Sequence, residues 1–233
     1  MAGSPAEERI RAKVEAALRR EFPSARIIHE LNMSWGGIRL DVGAVRPEAI
    51  TLVEIKSERD VLKRLRDQVS AALRVTGDVR LYVTEKHRAA LLNALSSSLK
   101  DSAGLVIYDW VEKPGGGRAG YTRPNPEYID ELRRVRIMVE TDDGFADLDP
   151  YQGAHWLRDV MEHAADPRAQ LELLWADELR DLMARHRVGT TPKATREINK
   201  RLALEHLTGR QIREGVCTAL RGRPFARADE VAA

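Results

Sequence analysis

The stretch ITLVEIKSERD, residues 50–60, begins with residues that are apolar on both faces of a strand and ends in charged ones. A strand that is apolar on both faces is typical of the centre of a sheet. Because successive side chains of a strand point to opposite faces, Glu54 and Lys56 share one face and Ile55 points to the other. The stretch therefore predicts a central strand whose end presents a carboxylate beside an ammonium group.

Two stretches before it also have strand character, residues 25–31 (ARIIHEL) and residues 37–45 (GIRLDVGAV). The second alternates apolar and polar residues, which puts Asp41 on its polar face. If this strand pairs with the following one as a hairpin, Asp41 converges with Glu54 and Lys56 at one end of the sheet. The pattern predicts two carboxylates and an ammonium group in a small volume.

The rest of the chain first alternates helices and strands and then becomes helical. Helices are predicted at residues 5–22, 58–74 and 86–99, and strands at residues 78–84 and 104–111. Helices and strands that alternate at this spacing predict an α/β layer with at least one parallel pair. Beyond a predicted linker between Glu140 and Tyr151, the pattern is helical. We therefore expect a core domain of residues 1–140 and a helical, C-terminally basic region of residues 141–233.

The composition is that of a globular chain, with 43% of the 233 residues hydrophobic and 32% charged. No apolar run approaches the length that crosses a bilayer, and residues 1–22 have helical rather than signal-peptide character. We therefore expect a soluble cytoplasmic protein. The single cysteine, Cys217, excludes an intrachain disulfide and a multi-cysteine metal site.

The net charge of +2 hides an uneven distribution along the chain. Residues 141–181 hold eleven acidic and three basic residues, whereas residues 185–227 hold eleven basic and three acidic ones. A basic segment is either a footprint for a polyanion such as nucleic acid or a solvated helix face that balances its acidic neighbour. The composition alone favours neither interpretation.

Two carboxylates that are held close together repel one another unless a cation lies between them. Mg²⁺ favours oxygen ligands and is usually bound through one or two carboxylates plus a substrate phosphate, with several waters. Such an ion lowers the pKa of its bound water and offsets charge on the phosphate, and Lys56 is suited to orient or deprotonate that water. Asp41, Glu54 and Lys56 therefore outline a site for phosphodiester hydrolysis.

Asp41, a spacer of twelve residues and then Glu54-Ile55-Lys56 resemble the PD-(D/E)XK motif of the restriction-endonuclease-like nuclease superfamily. Leu40 stands where the motif has proline, which is a common variation. The longer run EIKSERDVLKRLRDQ is similar to a branch of bacterial and phage nuclease-like proteins. The resemblance covers roughly residues 5 to 85. It implies an αβββαβ core with a mixed central sheet, a divalent metal and cleavage of nucleic acid, usually DNA.

The resemblance also suggests roles for two further residues. In this branch a glutamine on the helix after the EIKS strand lies beside the active site, and Gln68 matches it. Gln68 falls inside a predicted apolar stripe, where it must find hydrogen-bond partners. The stripe consists of Val61, Leu65, Val69 and Ala72. Glu30 matches an acidic residue that some members use as a metal ligand. A solvated position for Gln68 and an exposed strand-end carboxylate for Glu30 are the alternatives.

Together these residues predict a nuclease that depends on Mg²⁺, or on Mn²⁺ in its place, and that acts as an endonuclease on DNA in particular. Asp41 and Glu54 would hold the metal, with Glu30 as an added ligand. Lys56 would assist the attacking water and Gln68 would hold the catalytic groups in place.

Nucleic-acid contacts are predicted at Arg39, Arg59, Lys63, Arg64, Arg210 and Arg213, the last two on a helix pair that resembles a helix-turn-helix. The alternative is a catalytically inactive nucleic-acid-binding module with the same fold, and cutting both strands of a duplex would favour a homodimer.

Overall fold

The computed structural model of the chain describes residues 5–33, 37–92, 135–148 and 165–229. Its strands form one sheet and are β1 (Arg26–Asn32), β2 (Arg39–Val45), β3 (Ile50–Lys56), β4 (Asp78–Val83), β5 (Arg136–Thr141) and β6 (Gly144–Asp147). They lie side by side in sequence order. β1, β2 and β3 pair antiparallel, β3, β4 and β5 pair parallel, and β6 returns antiparallel to β5. The sheet is mixed and open, and the predicted α/β class with a parallel pair is confirmed.

β3 is the buried central strand that its sequence predicts. All of its residues are buried, and it lies between β2 and β4. Leu52 belongs to the apolar cluster on one face of the sheet and Val53 to the cluster on the other face. A strand without a solvated face needs apolar residues on both sides, which Ile50, Leu52 and Val53 supply. The buried hydroxyl of Thr51 is satisfied by a hydrogen bond to Asp78.

Helices cover both faces of the sheet near β3. The helices are α1 (Pro5–Glu21), α2 (Leu65–Val75), α3 (Pro167–Leu171), α4 (Ala176–Arg185), α5 (Arg196–His206) and α6 (Gly209–Gly222). α1 packs on one face through Ile10, Val14 and Leu18, the stripe that its sequence predicts. α2 packs on the other face through Val69 and Ala72, also as predicted. The charged end of β3 therefore lies between two helices.

The helix after β3 begins later than its apolar spacing predicts. Ser57 donates from its backbone N–H and from its hydroxyl to Asp60 Oδ2, each at 2.7 Å, so the chain turns before it becomes helical. A 3₁₀ turn at Leu62–Arg64 then leads into α2. The predicted start at Glu58 is wrong, and Val61, which the stripe includes, is 72% exposed.

β5 and β6 form a hairpin in the segment that the sequence predicts as a linker. Thr141 pairs with Gly144, and Val139 is buried in the sheet. The acidic pair Asp142-Asp143 forms the turn, which ends at Gly144 with a φ of 143°, a conformation that favours glycine. The linker interpretation is therefore wrong for the described residues, and the predicted boundary after Glu140 falls inside β5.

The C-terminal helices pack on the same apolar cluster as the sheet. Leu171 of α3, Leu182 of α4 and Val216 of α6 share this cluster with Leu52 of β3. α6 starts where the sequence predicts, because Thr208 caps its first turn. None of the helices in the described ranges is long and apolar enough to cross a membrane.

Some predictions lie outside the described residues. They are the strand at residues 104–111, the Gly/Pro-rich stretch after it, and the part of the helix at residues 86–99 that lies beyond residue 92.

Candidate functional site

A polar cleft opens at the sheet edge where β2 begins and β3 ends. Because these strands are antiparallel, Asp41 near the start of β2 lies beside Glu54 near the end of β3. The cleft has a volume of about 550 Å³. Its lining includes the acidic residues Glu7, Glu30, Asp41, Glu54, Asp60 and Asp67, together with Arg39, Lys56, Arg64 and Gln68. The structure thus brings together all the residues that the sequence analysis proposes as catalytic or metal-binding.

Asp41 lies where the hydrogen-bond ladder between β2 and β3 stops. The ladder pairs Val42 with Val53, and one residue further Asp41 Oδ2 accepts a hydrogen bond of 2.7 Å from the backbone N–H of Ile55. Burial raises the pKa of the Asp41 carboxyl, although this hydrogen bond and the nearby positive charges act in the opposite direction. One oxygen of Asp41 is thus fixed in the sheet. The other, Oδ1, lies 3.3 Å from Arg11 Nη2.

Glu54, Lys56 and Gln68 form a closed triangle of hydrogen bonds. Lys56 Nζ donates to Glu54 Oε1 at 2.5 Å and to Gln68 Oε1 at 3.0 Å. Gln68 Nε2 donates to Glu54 Oε1 at 2.5 Å. Glu54 and Lys56 meet because they share one face of β3, and Gln68 reaches both from the first turn of α2. The amide of Gln68 is therefore hydrogen-bonded within the cleft and holds the carboxylate and the ammonium group relative to one another.

The carboxyl of Glu54 has a strongly raised pKa. Glu54 is 3% exposed, and burial together with the charge of Asp41 raises its pKa to about 8, although Lys56 and Gln68 act in the opposite direction. Its Oε1 accepts two of the three bonds of the triangle, whereas Oε2 is buried and has no hydrogen-bond partner among the residues described. A buried oxygen without a donor is costly, and a cation would satisfy it.

Glu30 lines the cleft from an unusual backbone conformation. Its φ of 56° lies in the left-handed region, which residues other than glycine rarely adopt. This residue interrupts the alternation of β1, so Ile28 and Leu31 belong to the same apolar cluster. The Glu30 carboxylate pairs with Arg39 at 2.6 Å and with Arg11 at 3.4 Å. Both of its oxygens are thus held by arginines, and its role as a metal ligand stays a prediction.

Arg11 is a residue of the site that the sequence analysis misses. It is 5% exposed, and its guanidinium contacts the carboxylates of Glu7, Glu30 and Asp41. Burial lowers the pKa of Arg11, but the three carboxylates outweigh this effect and raise it. The sequence signal that could identify Arg11 is its spacing of four residues from Glu7 on α1, next to the buried Ile10.

Asp41 and Glu54 are the two carboxylates that could hold a metal ion. Within residues 5–33, 37–92, 135–148 and 165–229, no group of three or more His, Cys, Asp or Glu side chains is placed to hold one. A carboxylate pair still fits Mg²⁺, because this ion keeps several waters and uses one or two carboxylates plus substrate phosphates. Within the described residues Oε2 of Glu54 has no hydrogen-bond partner, and this oxygen together with the raised pKa values of both carboxyls fits a cation between them.

Four of the basic residues predicted to contact nucleic acid lie near the cleft. Arg39 and Arg64 line it, and Arg39 is paired with Glu30. Arg64 is exposed. Arg59 and Lys63 are exposed on the same segment of chain but do not line the cleft. Arg64 is therefore the best placed of the four to meet a phosphate at the rim.

Arg210 and Arg213 lie on α6, and the structure does not bring them to the cleft. Arg213 Nε donates to the backbone carbonyl of Glu48 at 2.9 Å. Glu48 belongs to the turn between β2 and β3, at the opposite end of β3 from Lys56. Because a strand of this length spans roughly 20 Å, Arg213 contacts the end of the hairpin that is far from the cleft. A nucleic-acid contact by the predicted helix-turn-helix, which corresponds to α5 and α6, stays a prediction.

The fold and the site define an α/β protein with a polar cleft at the edge of a mixed sheet. Two carboxylates, a lysine and a glutamine form the centre of this cleft. The chain matches no protein-family model, no curated protein and no solved structure.

Proposed function

We propose that this protein is a divalent-metal-dependent nuclease that hydrolyses phosphodiester bonds of nucleic acid, with DNA as the first substrate to test. One observation carries the proposal. Asp41, Glu54 and Lys56, which a motif resemblance selects from the sequence, converge in a single polar cleft. The element order α1-β1-β2-β3-α2-β4 also agrees with the αβββαβ core that this resemblance implies.

The residues of the cleft divide the chemistry among them. Asp41 and Glu54 would hold a divalent cation, which would supply a water of lowered pKa and a positive charge beside the phosphate. Lys56 can orient the attacking water and donate a hydrogen bond to charge that develops on the phosphate. Gln68 fixes the ammonium group of Lys56 relative to Glu54. Arg64 at the rim attracts the backbone of the nucleic acid.

The second candidate is a nucleic-acid-binding module with the same fold that does not cut. The ion pairs of the cleft favour it. Arg11 pairs with Asp41 and Glu30, and Arg39 also pairs with Glu30. Arginines that neutralise these carboxylates reduce the need for a metal ion. A protein of this kind would bind nucleic acid in the presence of EDTA and would release no products.

A cleavage assay separates the two candidates. Labelled single- and double-stranded DNA and RNA are incubated with the protein in Mg²⁺, Mn²⁺ or EDTA, and the same samples are tested for binding. We expect cutting in either metal and none in EDTA. Loss of the general acid–base or charge-stabilising group in Lys56→Ala should slow cutting by about 10²–10⁴-fold.

Lys193→Ala is the matched control, because Lys193 is an exposed lysine outside the cleft lining and is not among the residues predicted to contact nucleic acid. It should cut at close to the wild-type rate. Binding without metal-dependent cutting would support the binding module. Equal cleavage rates for wild type and Lys56→Ala would contradict the proposed mechanism.

A further inference from the structure

The positively charged guanidinium of Arg11 contacts several carboxylates of the cleft. Its Nη1 donates to the backbone carbonyl of Asp41 at 3.0 Å. Its Nη2 lies 2.9 Å from Glu7 Oε1, 3.3 Å from Asp41 Oδ1 and 3.4 Å from Glu30 Oε1. A single buried guanidinium thus contacts three acidic residues and the backbone of one of them.

The two carboxylate oxygens of Asp41 are held differently. Oδ2 accepts a 2.7 Å hydrogen bond from the backbone N–H of Ile55, which fixes this oxygen in the sheet. Oδ1 makes the longer contact of 3.3 Å with Arg11, so it is the oxygen that can turn to a cation at the smaller cost. At Oδ1 the guanidinium and a divalent cation would compete for the same atom.

We propose that Arg11 is a positioning residue that neutralises Asp41 in the metal-free cleft and sets a low affinity for the divalent cation. The inference rests on the proposed function, because it takes Asp41 and Glu54 as the metal-binding pair. Arg11 weakens metal binding in two ways. The cation must displace the hydrogen bond that Arg11 donates to Oδ1. The positive charge of Arg11 also repels the incoming cation, and water screens this repulsion little because the guanidinium is buried.

The contacts of Arg11 allow this exchange without movement of α1. Glu7 is the closest carboxylate to Nη2, and the bond from Nη1 to the Asp41 carbonyl does not involve Oδ1. Loss of the 3.3 Å contact with Oδ1 leaves Arg11 held by Glu7, by Glu30 and by the backbone. The guanidinium can therefore release the Asp41 carboxylate and remain in place.

The test is the affinity of the metal-free protein for Mn²⁺, measured by titration calorimetry without nucleic acid. Arg11→Met keeps an unbranched side chain but removes the charge, so it should bind Mn²⁺ at least about tenfold more tightly than wild type. Arg11→Lys keeps the charge and should bind within about threefold of wild type. A purely structural role for Arg11 predicts the opposite order, with Arg11→Met binding more weakly.

Glu7→Gln tests the same competition and leaves the arginine in place. Without the Glu7 carboxylate, Nη2 is drawn more strongly to Asp41, so Mn²⁺ binding should weaken. Asp67→Asn removes an exposed acidic residue of the same cleft and should weaken binding less. These two variants decide the question if circular dichroism shows that Arg11→Met does not fold.

The outcomes separate the inference from the function on which it rests. If wild type binds Mn²⁺ and Arg11→Met binds it equally or more weakly, the role of Arg11 is overturned and the metal site stands. Equal weakening by Glu7→Gln and Asp67→Asn also overturns the role of Arg11. If neither wild type nor Arg11→Met takes up Mn²⁺, the metal site of the proposed function is overturned.

Discussion

The backbone N–H of Ile55 donates a 2.7 Å hydrogen bond to the side chain of Asp41, at the point where the ladder between β2 and β3 ends. The carboxylate replaces a backbone carbonyl as the partner of this buried strand. Ile55 also separates Glu54 from Lys56, so the same bond fixes Asp41 beside both of them. The integrity of the sheet edge and the geometry of the site therefore depend on one contact.

Asp41→Ala should destabilise the protein more than Asp41→Asn. Alanine leaves the N–H of Ile55 without an acceptor, which costs about 1–3 kcal/mol, whereas the asparagine carbonyl can accept the bond. Both variants should lose metal binding, because neither has a carboxylate. Urea unfolding in EDTA measures the free energy of unfolding. Equal losses in the two variants would show that the charge pairing with Arg11, and not the bond to Ile55, carries the stability.

Periodicity finds the central part of the site because each of its residues follows a simple rule. Glu54 and Lys56 meet through the two-residue repeat of a strand, and Asp41 joins them through the antiparallel hairpin. The motif resemblance suggests that Gln68 lies beside the site, and its position inside an apolar stripe adds that it needs a hydrogen-bond partner. These contacts are local in sequence or follow from one pairing of strands.

The features that the sequence does not predict depend on contacts that cannot be read from the periodicity of apolar residues. Arg11 reaches Asp41 across 30 residues, and its contact follows only from the packing of α1 against the sheet. Val61 lies on the predicted stripe but is exposed, because the bonds of Ser57 to Asp60 delay the helix. The acidic turn before Gly144 resembles a solvated linker by composition, and only strand pairing shows it to be a hairpin.

The metal-free protein should lose stability as the pH rises from about 4.5 to about 8. Because burial and Asp41 raise the pKa of Glu54 to about 8, the folded state holds a proton in this range that the unfolded chain has released. The free energy of unfolding therefore falls with rising pH. Urea unfolding in EDTA at several pH values across this range measures the slope.

Glu54→Gln is the control for this pH dependence, and its slope should be shallower. The comparison separates Glu54 from Asp41, whose pKa burial also raises and which acts in the same direction. It also separates Glu54 from His29, whose pKa burial lowers and which therefore acts in the opposite direction below its ordinary pKa. Metal binding should show the reverse trend, because the cation needs the ionised carboxylate, so Mn²⁺ affinity should rise across the same range. A slope that Glu54→Gln leaves unchanged would assign the pH dependence to another group.

Gln68→Leu should slow cleavage by about 10–100-fold, the usual effect of removing a group that orients a metal ligand. Leucine has a similar volume but makes neither the bond to Glu54 nor the bond to Lys56. We expect the loss in kcat and little change in KM, because the amide of Gln68 is engaged by Glu54 and Lys56. A change in KM alone, with kcat retained, would place Gln68 in substrate binding instead.

Arg64→Gln should weaken the binding of DNA and reduce its dependence on salt. Each phosphate that a protein cation contacts adds about one unit to the slope of log K against log salt concentration, so the slope should become shallower by about 1. Arg210→Gln is the comparison variant, because Arg210 lies outside the cleft lining, on α6, where a second nucleic-acid contact is predicted from the sequence. If the nucleic acid follows the cleft alone, the slope of Arg210→Gln should equal that of wild type. If Arg210→Gln lowers the slope and Arg64→Gln does not, the nucleic acid approaches α6, and the path over the rim of the cleft is wrong.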